Sequence, residues 1–426
     1  MAEGAATLPY LINDADEHST PANDCYERYI DPAKKHMAVR RVVVDGKPEW
    51  LYNGRPQRLK PKNFQVTFSD ETLSRVGVHG AGTTEDEDER NVARVIPGSL
   101  LNRLNPLKSL DEEGRKEFAR QYRAMQAELD DPVSRLSVMD AQGIGTTMNF
   151  AGPLGIEYEF EDDIEGLYAN LRAVNRYLCT EWGFAHADRI FTPPVMSFVD
   201  ADLAIAELDA ILKDGTPKAI QISTGPSIHT SPFRPELDPF WARLNEANIP
   251  ITTHLQSITF YQRQGLEWSL PEAMLGDMDA FQWVFYYGDR PGMETVGAAI
   301  LQGLFARFPN IRLMLAEQGC MWVPYIVRKM DHAFMMGRKA SWGKLTKRPS
   351  DYFRQHCFVA PYPEENVDRV IEAVGVEPIV FGSDFPHGEG LPDPSLYLGQ
   401  LKNLDQTQVK AIMHDNFARF LNMPTA

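Results

Sequence analysis

Cysteine is scarce in this chain. There are four, Cys25, Cys179, Cys320 and Cys357, in 426 residues, and no two stand in a CxxC spacing. The pattern signals neither a zinc knuckle nor a disulfide framework, and free thiols in a reducing compartment are the expectation. Long apolar runs are missing as well: no stretch approaches 18 uninterrupted apolar residues, so no membrane span is expected. The opening MAEGAATLPYLIND has no basic region followed by an apolar run, so no signal peptide is expected. Lysine and arginine number 43 against 59 aspartates and glutamates, for a formal net charge of -16. Such an acidic surface argues against nucleic acid and against an anionic membrane as partners. Neither GxGxxG nor GxxxxGK(S/T) occurs, which removes the Gly-rich phosphate turns of an open doubly wound sheet. No GxSxG elbow supports a serine nucleophile. A soluble, cytoplasmic protein is therefore the expectation.

The composition is ordinary for a globular chain, 43% hydrophobic and 24% charged. From about Pro132 onward, helical patterns alternate with short apolar runs bounded by turn residues. Counting the run near residue 12, strands centre near residues 12, 147, 192, 221, 252, 314, 358 and 381. Strands alternating with helices imply parallel pairing through helical crossovers, and eight such units imply a (β/α)8 barrel, an α/β fold. The spacing predicts one domain over residues 1–426, with 19–135 an irregular insertion after the first strand. That insertion contains a hairpin from Arg40 to Gly54 around an Asp45-Gly46 turn. Its acidic run GAGTTEDEDE at 80–89 reads as a surface loop.

The strand ends carry the chemistry. The run Ile379-Val380-Phe381-Gly382-Ser383-Asp384-Phe385-Pro386-His387 reads as a buried strand that ends in an acid, then Pro-His. Alone, Asp384 is equally a helix N-cap. The first strand ends in Asp16 and His18, two apart and so on one side of an extended chain; alone, they are equally an Asx turn. The fifth strand ends in His254 and the sixth in Glu317. All four ends are C-terminal, the end where barrel enzymes keep their active sites. Chance seldom gives four strands of one barrel such ends. Two imidazoles with two or three carboxylates form a mixed N/O set that suits zinc, manganese or iron(II). Such a metal acidifies water or polarises a carbonyl, and a neighbouring carboxylate moves the proton. Asp384 is then ligand, proton shuttle or both. His387 and His229 lie past active-rim strand ends, where they can meet substrate. His186 and His356 lie at the opposite rim. Cys320 is weighed as a nucleophile, and as core beside Met321 and Trp322 it fits better.

These stretches resemble the amidohydrolase-related TIM-barrel metalloenzymes, the group that includes aminocarboxymuconate-semialdehyde decarboxylase and the γ-resorcylate-type decarboxylases. The resemblance is carried by DADEHSTP at 14–21, DPVSRLSVMDAQGI at 131–144, LDPFWARLNEANIPITTH at 237–254, RFPNIRLMLAEQGCMWVPYIVRKMD at 307–331, FGSDFPHGEG at 381–390 and IMHDNFARFLN at 412–422. It implies one divalent metal ion, zinc first and manganese or iron as alternatives, held by Asp16, His18, His254 and Asp384. It also implies a homodimer. The chain departs from the family at the sixth strand, where Glu317 stands in place of a catalytic His, either as the replacement base or holding a neighbour by hydrogen bonds. Asp384, Glu317 and His387 are the candidate catalytic group. The expected activity is a hydrolase whose metal-activated water attacks a C–N or C–C bond of a small organic acid or cyclic metabolite. The alternatives are non-oxidative decarboxylation of an aromatic or muconate-type acid, and a ligand-binding barrel without catalysis.

Overall fold

The parallel ladder follows the aliphatic runs closely and breaks where proline interrupts them. The computed structural model describes residues 8–44, 47–56, 131–152, 156–228, 230–255, 284–285, 288–337 and 345–424, with shorter stretches between 97 and 118 and residues 264 and 268. The first strand is Ile12–His18, the second Ile144–Phe150, the fourth Ile220–Ile222, the fifth Ile251–His254, the sixth Leu313–Ala316 and the seventh Cys357–Val359. The third, expected as one strand from Arg189 to Val195, is two pieces, Ile190–Phe191 and Val195–Met196. Pro193 and Pro194 lie between them and have no N–H to give a ladder. The first piece pairs with the second strand and the other piece with the fourth, both in parallel.

Residues 379–385 complete the ring, but not as the ordinary buried strand that the sequence predicts. Val380 N–H donates to Val359 O at 3.0 Å on one side. On the other side, Ala15 N–H donates to Phe381 O, Asp384 N–H to Asp16 O and His18 N–H to Phe385 O, each at 2.8 Å. Not all of the segment's own amides join the ladder. Phe381 N–H goes to Ile412 O at 3.1 Å and Ser383 N–H to the Asp14 carboxylate at 2.9 Å. These diversions make the ladder irregular while the seventh and first strands still meet through it.

Period-two alternation sorts the strand side chains into two layers. Ala15, Met148, Phe150, Phe191, Met314, Ala316, Phe358, Ala360 and Val380 pack together inside the ring. Phe417, Phe420 and Leu421 of the C-terminal helical turns plug its floor. The neighbours in sequence, among them Ile144, Leu313, Leu315, Val359 and Phe381, belong to the larger apolar layer beneath the helices. Helices Pro132–Gln142, Ile164–Tyr177, Ala201–Asp214, Asp238–Ala247, Asp289–Leu301, Val323–Met336 and Asp368–Val374 form that outer shell. The first of these starts and stops on local signals. The Asp131 carboxylate caps Ser134 N–H, Pro132 opens the helix, and Gly143 closes it at φ 72°.

In the segment after the first strand, Arg40–Val44 and Lys47–Tyr52 pair antiparallel, and Arg55–Pro56 adds a third short strand. The Arg55 guanidinium bonds Glu159 O and the Asp162 carboxylate, which ties this small sheet to the loop after the second strand. The turn at Asp45-Gly46 and the acidic run 80–89 lie outside the described residues. Among the described residues, no helix is long and apolar enough to cross a membrane.

Candidate metal centre

A bulge aims the first-strand pair. Between the pairs Asp14–Thr147 and Glu17–Asn149 the first strand advances three residues while the second advances two. Strict alternation would leave Asp16 and His18 on the same side as Ile12, which lies in the outer apolar layer. The extra residue reverses the sense, a common use of bulges beside active sites. Asp16 and His18 now face His254, and Glu17 points outward to Arg135 on helix Pro132–Gln142, at 3.0 Å with both side chains fully buried. Arg135 also donates to His18 O at 3.1 Å and lies over the Phe385 ring at 5.1 Å. The guanidinium therefore ties the end of the first strand, through His18 O, to the Phe385 side chain of the eighth segment.

Around the mouth the donor atoms converge. Asp16 Oδ1 lies 3.4 Å from His18 Nε2 and 3.4 Å from His254 Nε2. Asp384 Oδ1 lies 3.1 Å from His18 Nε2, and Glu317 Oε2 lies 3.2 Å from His254 Nε2. The two imidazoles meet edge to face at 4.8 Å, against the Phe150 ring. Asp16 Oδ1 and His18 Nε2 are buried yet make no hydrogen bond of good geometry. Buried polar atoms left this way call for an explanation. Ligand atoms about 2.1 Å from one tetrahedral ion sit about 3.4 Å from one another. The spacing and the N/O chemistry both fit a divalent cation among these side chains.

Two of the acids sit on left-handed backbone, Glu317 at φ 51° and Asp384 at φ 56°. For residues other than glycine this costs about 1–3 kcal/mol each. At Glu317 the consequence is direction. Ala316 already faces into the ring, so alternation would turn Glu317 outward, and the left-handed turn brings its carboxylate back to His254. Tyr362 Oη donates to Glu317 O at 3.1 Å and holds that turn. His387 stacks on His18 at 4.0 Å and places Nδ1 2.7 Å from Asp384 Oδ1. Glu389 stands beside them: ligand-capable atoms of Glu317, Asp384, His387 and Glu389 all lie within 4.8 Å of one another.

The electrostatics separate the carboxylates. Burial pushes Glu317 well above the ordinary carboxylate range, and the nearby Asp384 charge adds to it. Asp384 is also buried, but His387 and His18 outweigh that and hold it below its usual value. Burial works against Asp16 too, and His254 and His18 outweigh it and keep it ionised. Desolvation opposes a charge on His18, while Asp16 and Asp384 more than offset it and raise the ring to about 10. His254 goes the other way because burial dominates there.

Of the residues the sequence singles out, Asp16, His18, His254, Glu317, Asp384 and His387 come together. His229 lies outside the described residues. Cys320 is fully buried in the outer apolar layer, and burial pushes its thiol well up. Trp322 is core and donates to Gln318 O and Gly319 O. His356 stacks on Phe305 and meets Ile311 O, away from the mouth. Sequence reasoning misses Asp14, Glu17, Arg135 and Glu389. No local pattern marks the Glu17–Arg135 contact, and Glu389 was legible only as the acid two residues past His387.

Gly390 fixes where Asp384 can sit. A Cβ there would lie 2.2 Å from Asp384 O and 2.6 Å from its carbonyl carbon. Gly390→Ala is expected to displace Asp384 and weaken metal binding by about ten-fold or more, the scale of outer-shell damage. Calorimetric titration of the metal-free protein with Zn(II) and Mn(II) measures this, and an unchanged dissociation constant would refute it.

Comparison with known proteins agrees with this architecture. The amidohydrolase family profile matches residues 104–423, most of the chain. The chain belongs to the amidohydrolase family, whose fold is the TIM barrel. An amidohydrolase from Mycobacterium avium subsp. paratuberculosis K-10 superposes with a TM-score of 0.78 at 25% identity, covering 97% of this chain and 100% of the other. The 5-carboxyvanillate decarboxylase of Sphingomonas paucimobilis gives 0.55 at 19% identity, over 71% of this chain and 86% of that one. The Novosphingobium aromaticivorans 5-carboxyvanillate decarboxylase, solved with bound manganese, gives 0.54 at 14% identity, over 97% and 98%. At these last two identities the likeness is one of fold. Among curated protein sequences none matches this chain.

Proposed function

We propose that this chain is a metal-dependent hydrolase of a small cyclic or carboxylated metabolite, with Asp16, His18, His254 and Asp384 holding one divalent ion, zinc first. What supports this is the convergence of donors from the first, fifth and eighth barrel positions on one point, with a further carboxylate, Glu317, at the rim of the same point. When bound, the ion supplies Lewis-acid polarisation of a substrate carbonyl and acidifies water.

The chain's own residues supply the proton traffic. Pairs of acids whose surroundings drive them apart are acid and base candidates. Asp384 Oδ1, ionised, accepts the proton that water loses as it adds to the carbonyl carbon, and His387 Nδ1 at 2.7 Å takes it onward. Glu317, protonated, delivers its proton to the leaving nitrogen or carbon as that bond breaks. The Phe150 ring and the inner apolar layer exclude water from below. A second use of the same groups follows from Glu317 alone: a held proton also suits delivery to a ring carbon as carbon dioxide leaves.

Product analysis in ¹⁸O-water separates the two. With cyclic amides, lactones and aromatic acids as the substrate panel, hydrolysis puts ¹⁸O into the product carboxyl group. Carbon dioxide release without ¹⁸O in the organic product would replace hydrolysis by decarboxylation.

A further inference from the structure

We propose that Asp14 is a positioning residue that sets the spacing between Asp16 and Asp384 by bracing the first-strand bulge against the eighth barrel segment; this rests on the metal site proposed above. Asp14 is fully buried. Its Oδ1 accepts two backbone N–H bonds, from Asp16 at 3.0 Å and from Ser383 at 2.9 Å. One donor belongs to a proposed ligand and the other immediately precedes the second. The bond from Asp16 N–H falls inside the bulge, where the strand has left its regular pairing with Thr147 and Asn149. The bond from Ser383 N–H is among those that draw residues 379–385 out of the ladder.

The junction around it has little freedom. Asp384 N–H donates to Asp16 O at 2.8 Å, so the two ligand residues are already one hydrogen bond apart in the backbone. A Cβ on Gly382 would meet Asp16 Cβ at 2.9 Å, so the segments touch there without room for a methyl group. A bulge is held by whatever satisfies the amides it frees, since buried N–H groups are almost always paired. Asp14 supplies that acceptor for both segments at once. Glu17, three residues on, faces away toward Arg135 and braces the other end of the bulge.

The test uses the full chain and the metals alone. Asp14→Ala removes both accepted bonds, and Asp14→Asn keeps an Oδ1 acceptor. Metal-free wild type and both variants are titrated with Zn(II) and with Mn(II), and melting is recorded with and without metal. The Ala variant is expected to bind either ion about 10–100-fold more weakly, as for lost outer-shell partners. The Asn variant is expected to stay within about three-fold of wild type, since its Oδ1 can still accept the two backbone N–H bonds. A folded Ala variant with the wild-type dissociation constant overturns the proposal, even if it melts lower without metal, because a staple that serves only stability behaves that way. An Asn variant weakened more than ten-fold also overturns it, and decides by itself if the Ala variant does not fold. Wild type that takes up neither ion sinks the metal site beneath the proposal, a result distinct from either of these.

Discussion

His254→Ala is expected to take the metal content of protein prepared in excess Zn(II) from about one equivalent to below roughly one tenth, because an intact site holds its ion through the folded state. His254 is completely buried, with Nε2 against Asp16 and Glu317 and its ring against His18 and Phe150. Alanine leaves Asp16 and Glu317 as adjacent buried acids with one fewer cationic or metal-binding neighbour. Activity falls to background with the metal. Stabilisation by added metal, which requires binding to the native state, disappears as well. Metal analysis by mass spectrometry and thermal melts with and without Zn(II) measure both. A variant that keeps a full equivalent of metal would remove the imidazole from the ligand set and with it the assignment of the site.

Glu317→Gln is expected to leave the metal in place and slow the reaction by about 10²–10⁴-fold, the usual contribution of a positioned acid or base. Glutamine keeps the size and the hydrogen-bonding atoms but has no proton to transfer at any working pH. The left-handed turn at residue 317 is fixed by backbone contacts to Tyr362, which the substitution leaves alone. The measurement is kcat on whichever substrate the product screen identifies, together with metal content. Loss of metal along with rate would show that Glu317 is a ligand rather than a proton carrier. An unchanged rate would transfer the acid role to His387.

The donors themselves were legible in the sequence. An apolar run that ends in a polar residue is a local signal, and it recurs at Asp16-Glu17-His18, His254, Glu317 and Asp384. The order of strands and helices was legible for the same reason, since periodicity is a property of neighbours in the chain. The third strand differs from its apolar pattern because Pro193 and Pro194 split the run into Ile190–Phe191 and Val195–Met196. The eighth segment departs from a regular strand because amides such as those of Phe381 and Ser383 go to partners that no local pattern names.

Residue types and their places in the chain are enough to name candidate cation ligands and proton carriers, and the strand ends at which they stand. Which way those side chains point and how far apart they sit comes only from folding. The bulge that turns Asp16 and His18 inward is held by contacts 118 residues away at Arg135 and 369 residues away at Ser383. The left-handed turn that returns Glu317 to the mouth is held by Tyr362, 45 residues on. Directions set by such contacts follow from closing the ring, and even the nearest of them, 45 residues away, lies beyond the reach of local periodicity.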